Sequence, residues 1–131
     1  MYCRFPQDLV EKPGPKPRPA LVLKVGECDG GYEVVVAYGT SQKVRDLVGG
    51  EFSIFAEESP AFEKSGLSYP TKFNLRKTVT VPYNSLWFSP PPSPPGSQSP
   101  KLGELHATCG KKLQAAFSGL SKAEQERLAA K

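Results

Sequence analysis

The 131 residues, 38% of them apolar with a mean hydropathy of −0.39, are enough for one domain with a real core and too few for two independent ones. A net charge of +4 and an isoelectric point near 9.0 point toward polyanionic partners, but the excess is uneven. Lys101, Lys111, Lys112, Lys122, Arg127 and Lys131 outnumber Glu104, Glu124 and Glu126, whereas acids and bases nearly cancel in the first half, so an anion site there has to be local and geometric.

Cys3, Cys28 and Cys109 form no C-x-x-C pair, which argues against a disulfide framework or a structural zinc site and makes them small apolar fillers. With His106 as the one histidine, two-imidazole acid/base chemistry within a chain is excluded, and neither G-x-x-x-x-G-K-[ST] nor G-x-G-x-x-G occurs. No run approaches a membrane span and Met1 to Pro6 lacks the apolar core of a signal peptide, so a cytoplasmic protein is expected.

In chain order, Tyr2 to Phe5 reads as a short strand ending at Pro6. Pro13, Pro15, Pro17 and Pro19 alternate through the following loop; they fix φ, forbid helix and deliver Arg18 stiffly to the start of a strand. Ala20 to Val25 and Tyr32 to Tyr38 are continuous apolar runs expected to pair as a hairpin through Gly26 to Gly31, buried on both faces. That pairing brings Thr40 within reach of Arg18, and a guanidinium beside a hydroxyl makes an anion site.

Glu51 to Phe55 alternates like a strand with Glu51 and Ser53 on its wet face. Ser59 as N-cap, Pro60 at the first helical position and Gly66 as C-terminal cap predict a helix over 60–65. Arg76 to Tyr83 is a fifth strand, Val79 and Val81 inward, Thr78 and Thr80 outward, with Trp87 and Phe88 as an apolar clasp. The proline-dense segment 89–101 is a loop or linker. Leu102, Leu105, Cys109, Leu113, Ala116 and Phe117 share one helical face, and Ser121-Lys122-Ala123-Glu124 has the form of a capping box opening a last, mostly polar helix. The expected organisation is a mainly β barrel over 1–88, the loop, and C-terminal helices over 102–131 packing on the barrel.

The order of an R-P-A-L-V-L strand from Arg18 to Leu23, a V-V-V-A-Y-G-T-S-Q-K strand end from Val34 to Lys43 and a late Gly103-Glu104-Leu105 helix start resembles the MazF/PemK family of toxin–antitoxin ribonucleases over most of the span from Cys3 to Phe117. The resemblance implies a small SH3-like barrel of the MazF/CcdB type and metal-independent endoribonuclease activity on single-stranded RNA, with no cofactor. It also implies a homodimer and a cognate antitoxin that neutralises it. Position by position, Arg18 matches the catalytic arginine and Thr40 the catalytic Ser/Thr, while Glu11 is a candidate base. Lys16, Ser41, Lys43, Tyr69, Lys72 and Phe73 are candidate RNA contacts, Tyr69 and Phe73 as exposed stacking platforms. The sequence departs from the family in lacking an acid between Pro13 and Pro17, in its long proline segment and in Thr71 to Asn74.

Arg18 suits the charge of a phosphorane, since its planar fork donates two hydrogen bonds while staying cationic. Against this stand a strand-end arginine paired with a carboxylate, and Thr40 as a turn-capping hydroxyl. His106 reads as a helix-surface residue and Lys111-Lys112 as a solvated helix face. Two alternatives to the nuclease remain. One is a non-catalytic member of the same barrel that binds nucleic acid or a protein, as the CcdB branch binds a topoisomerase. The other is an interaction module offering its proline segments to aromatic grooves.

Overall fold

A computed structural model describes residues 1–4, 18–28, 30–84, 87–88, 101 and 103–129. The proline-lined approach to Arg18, with Glu11 and Lys16, and the segment 89–100 lie outside the described residues, as do Phe5 and Leu102. The architecture is mainly β: strands β1 (Tyr2–Cys3), β2 (Arg18–Cys28), β3 (Gly31–Thr40), β4 (Glu51–Ile54) and β5 (Thr71–Pro82), with helices α1 (Ser59–Ser65), α2 (Gly110–Ser118) and α3 (Lys122–Ala129). A curled antiparallel half-barrel runs β2-β3-β5-β4, and β1 adds to the outer edge of β2.

The apolar runs of β2 and β3 pair as expected, but both strands are longer than their apolar cores. The ladder runs as far as Cys28↔Gly31, and Gly30 at the tip has φ 82°, a conformation that costs glycine nothing. Burial on two faces holds for the middle of β3, with Val34, Val35, Val36 and Ala37 all buried, because β3 is central. It fails toward the hairpin tip, where Val25 and Tyr32 are exposed.

Alternate side chains feed two cores. Ala20, Val22, Val34, Val36, Val79 and Val81 face one side, closed by Cys3 and Phe88, so the expected Trp87-Phe88 clasp forms at a bridge between Phe88 and Cys3. Leu21, Leu23, Ala37, Phe52, Ile54, Phe73 and Leu75 face the other side, covered by α1, α2 and Leu120. Cys3 and Cys109 are fully buried free thiols, and burial pushes the Cys3 thiol up to about 11, so both act as fillers.

Strand β5 begins at Thr71, five residues before the expected Arg76. The register jumps from Ala37↔Thr78 to Tyr38↔Asn74, so Leu75, Arg76 and Lys77 have no opposite number on β3. This insertion moves odd-numbered residues from one face to the other: Phe73 and Leu75 join one core, Val79 and Val81 the other. Helix α1 starts one residue earlier than predicted, with Glu58 rather than Ser59 in the cap position, and ends as expected on Gly66 in the left-handed conformation, φ 72°. Residues 103–106 are not helical. Glu104 N–H donates to Lys64 O at 2.8 Å, holding this stretch against the end of α1, and a short 3₁₀ turn at Ala107–Cys109 precedes α2. His106 is the cap of that turn, its Nδ1 accepting from Thr108 N–H at 3.1 Å, rather than a helix-surface residue. The capping box of α3 forms in both directions, Ser121 N–H to Glu124 Oε1 at 2.9 Å and Glu124 N–H to Ser121 Oγ at 3.2 Å.

The Lys111-Lys112 pair divides. Lys111 is exposed, but Lys112 donates to the Glu58 carboxylate and to Ser53 O at 2.9 Å, with its ammonium 5.0 Å from the Phe55 ring centre. Arg45 stacks on the same ring at 4.5 Å, so Phe55 and Glu58 fix α2 and the loop before β4 to one another. Burial pushes the Glu58 carboxyl up, but the hydrogen bonds from Lys112 and Phe55 N–H and the Lys112 charge together outweigh it and hold Glu58 below the ordinary carboxylate range. A folded-state pKa below the unfolded one gives stability that is present above the unfolded value and lost as pH falls through the folded one. Glu58→Gln is therefore expected to cost about 1–2 kcal/mol at pH 7 and to flatten the loss of stability on acidification, measured by urea unfolding at pH 7, 5 and 3.

Candidate functional site

The site lies where β2 begins and β3 ends. The β2/β3 ladder ends at Ala20↔Tyr38, while Arg18 pairs with Cys3 on the other side; continued by two residues without a shift, the β2/β3 register would set Arg18 opposite Thr40. The close approach of the strands is visible at Gly39: a Cβ there would run into the Pro19 carbonyl and lie 2.9 Å from Phe73 Cε1. Side chains alternate along a strand, so Arg18 shares the face of Ala20 and Thr40 that of Tyr38, which is one side of the sheet. Arg18 is exposed and Thr40 half-buried.

The same row continues across the sheet. Thr40 is opposite Lys72, and Lys72 is opposite Ser53. At roughly 4.8 Å per strand, Arg18 and Lys72 backbones are about 10 Å apart with Thr40 between them. Lys72 is engaged: its ammonium lies 3.5 Å from Glu51 Oε2 and donates to Asp46 O at 3.1 Å, with both side chains of the ion pair mostly buried. It anchors the 41–50 loop.

That loop is pinned over this face by further contacts. Ser53 Oγ donates to Val44 O at 2.6 Å, Val48 N–H to Glu51 Oε1 at 2.9 Å, and Arg45 holds both Glu57 oxygens at 2.9 and 3.0 Å. Glu51 and Ser53, expected on a wet face, are therefore covered, Ser53 almost completely. These loop anchors escaped the sequence reading, which put Glu51 and Ser53 on a wet face and began the neighbouring strand only at Arg76.

Ser41 and Lys43 are exposed just beyond Thr40, Lys43 in the left-handed region at φ 52°. Gln42 N–H donates to Thr40 Oγ1 at 3.2 Å, so the hydroxyl caps its own turn while its proton remains able to donate elsewhere. Tyr69 is 70% exposed, as expected of a stacking platform. Phe73 is not: it is 4% exposed, its ring 5.6 Å from that of Phe52 in the core, which removes it from any surface contact. The phase shift in β5 is the cause, because it turns Phe73 inward while its neighbours Lys72 and Asn74 face the site.

The chain matches no protein-family model and no curated protein. The chemistry available is thus that of the row itself: one exposed guanidinium, one half-buried hydroxyl, exposed Ser41 and Lys43 beyond it, and a loop held in place by the mostly buried Lys72–Glu51 pair. Among the described residues no cluster of three His, Cys, Asp or Glu is placed to hold a metal ion, and no helix is long and apolar enough to cross a membrane.

Proposed function

We infer that the protein is a metal-independent endoribonuclease acting on single-stranded RNA, with Arg18 stabilising the phosphorane and Thr40 holding the scissile phosphate in line. The observation that supports this reading is the β2/β3 register: continued two residues past its last pair, Ala20↔Tyr38, it would bring Arg18, which is in solvent, opposite Thr40. Ser41 and Lys43 extend the same strand end toward the RNA backbone, and Tyr69 offers a base-stacking ring. The curled sheet and the R-P-A-L-V-L strand fit the SH3-like barrel of the MazF/PemK resemblance, with a homodimer and an antitoxin as the partners that it implies.

A long single-stranded RNA incubated with the purified protein in EDTA tests this. Cleavage that survives chelation and leaves 5′-hydroxyl ends is expected; intact RNA would overturn the nuclease. The second reading, a member of the same barrel that binds RNA without cutting it, is favoured by Glu51: this carboxylate shares the face of the row and is tied to Lys72 rather than free to act as a base. RNA retained uncut by the protein is the outcome that selects it.

A further inference from the structure

On the opposite face of the sheet from Arg18, the half-barrel and α2 leave an open hollow that the nuclease reading does not use. Leu23, Val35 and Leu75 form its floor, Leu113 and Phe117 of α2 form a wall, and Leu128 of α3 lies over one side. Its volume is about 360 Å³, near the lower end of the roughly 300–1,000 Å³ usual for small-molecule sites and too small for a folded partner. Lys24 and Gln114 are the polar side chains on its border.

Lys24 and Val35 also border a second, shallower trough of about 490 Å³ that runs on past Gly26, Glu33 and Thr80. An apolar chamber therefore opens at a cation, and beyond the cation lies an acid. The bulge between Val22 and Lys24 is what brings Lys24 level with Val35, at this junction.

We propose that this hollow binds a medium-chain aliphatic carboxylate, its tail between the sheet and α2 and its head beside Lys24. Burying an aliphatic tail among Leu23, Leu75, Leu113 and Phe117 supplies the affinity, and the Lys24 charge selects an anionic head. Glu33 sets the length, since a longer chain would push its carboxylate out of reach of Lys24 and toward a like charge. The proposal does not depend on the nuclease reading.

Gly110 provides the test. It borders the hollow, it is helical at φ −57° and ψ −40°, and a Cβ built on it meets nothing within 4 Å. A Cβ there displaces no neighbour, a longer side chain extends into the open hollow, and the change away from glycine improves helix propensity. Decanoate titrated into the full chain by calorimetry is expected to bind saturably, with methyl NMR shifts at Leu23, Leu113 and Leu128. Gly110→Leu is expected to weaken binding at least about tenfold without lowering thermal stability. Lys24→Gln is expected to weaken decanoate about fivefold and leave decan-1-ol unchanged. No saturable binding, no shifts at those methyls, or undiminished binding in folded Gly110→Leu overturns the site, and Lys24→Gln without effect overturns the anionic head. A dimer that decanoate does not enter and that Gly110→Leu dissociates would assign the hollow to a second copy and overturn the proposal as well.

Discussion

Arg18→Ala is expected to lower the rate of RNA cleavage by about 10²–10³-fold while leaving the fold intact, because the lost group is a donor aimed at charge that exists only in the transition state. Arg18 is exposed, so thermal unfolding should move by no more than about 0.5 kcal/mol and a dead variant is a folded one. Arg18→Lys keeps the charge but not the planar fork, and is expected to recover only a minor part of the activity. Single-turnover cleavage of a fixed oligonucleotide, read beside a melting curve, separates loss of chemistry from loss of structure. An Arg18 that merely pairs at a strand end would give the opposite pattern, with little change in rate.

Gly39→Ala should be the most damaging single methyl that can be added at the site. The new Cβ would run into the Pro19 carbonyl, which is backbone, and into Phe73 Cε1 at 2.9 Å, which is core. Neither can give way as the tip of a flexible side chain can. The expected cost is roughly 2–4 kcal/mol, by urea unfolding. Relief by parting β2 from β3 also draws Arg18 away from Thr40, so cleavage should fall even at temperatures where the variant stays folded. Gly26→Ala is the control: it lies on the same strand as Arg18, a Cβ there meets nothing within 4 Å, and its stability should change by no more than about 0.5 kcal/mol.

The parts of this fold that were legible in the sequence are those where one local rule governs. The β2/β3 hairpin follows from two apolar runs and the glycines between them, the end of α1 from Gly66, and the start of α3 from the Ser121–Glu124 box. The shared face of Arg18 and Thr40 follows from the same alternation, counted from Ala20 and Tyr38 at the end of the hairpin ladder. What was not legible depends on interruptions of period. The three extra residues in β5 exchange its faces, so the alternation read from Val79 and Val81 could not be carried back to Phe73. Leu105 continues the helical spacing of α2 into a stretch that is not helical, where Gly103 and the Glu104–Lys64 hydrogen bond hold the chain against α1, and Cys109 closes a 3₁₀ turn before α2 begins. Lys112 looked solvated because its partners Glu58 and Ser53 are more than fifty positions away, a distance at which charge patterning along a helix is silent.

The mechanism requires Arg18 and Thr40 to act on one phosphate, and a double-mutant cycle on single-turnover cleavage in EDTA tests that requirement most directly. With Arg18→Ala, Thr40→Ala and the pair compared against the unaltered chain, the double variant is predicted to be scarcely slower than Arg18→Ala alone. Multiplicative losses would mean that the two side chains act apart, and an Arg18→Ala variant cleaving at the unaltered rate would contradict the account outright.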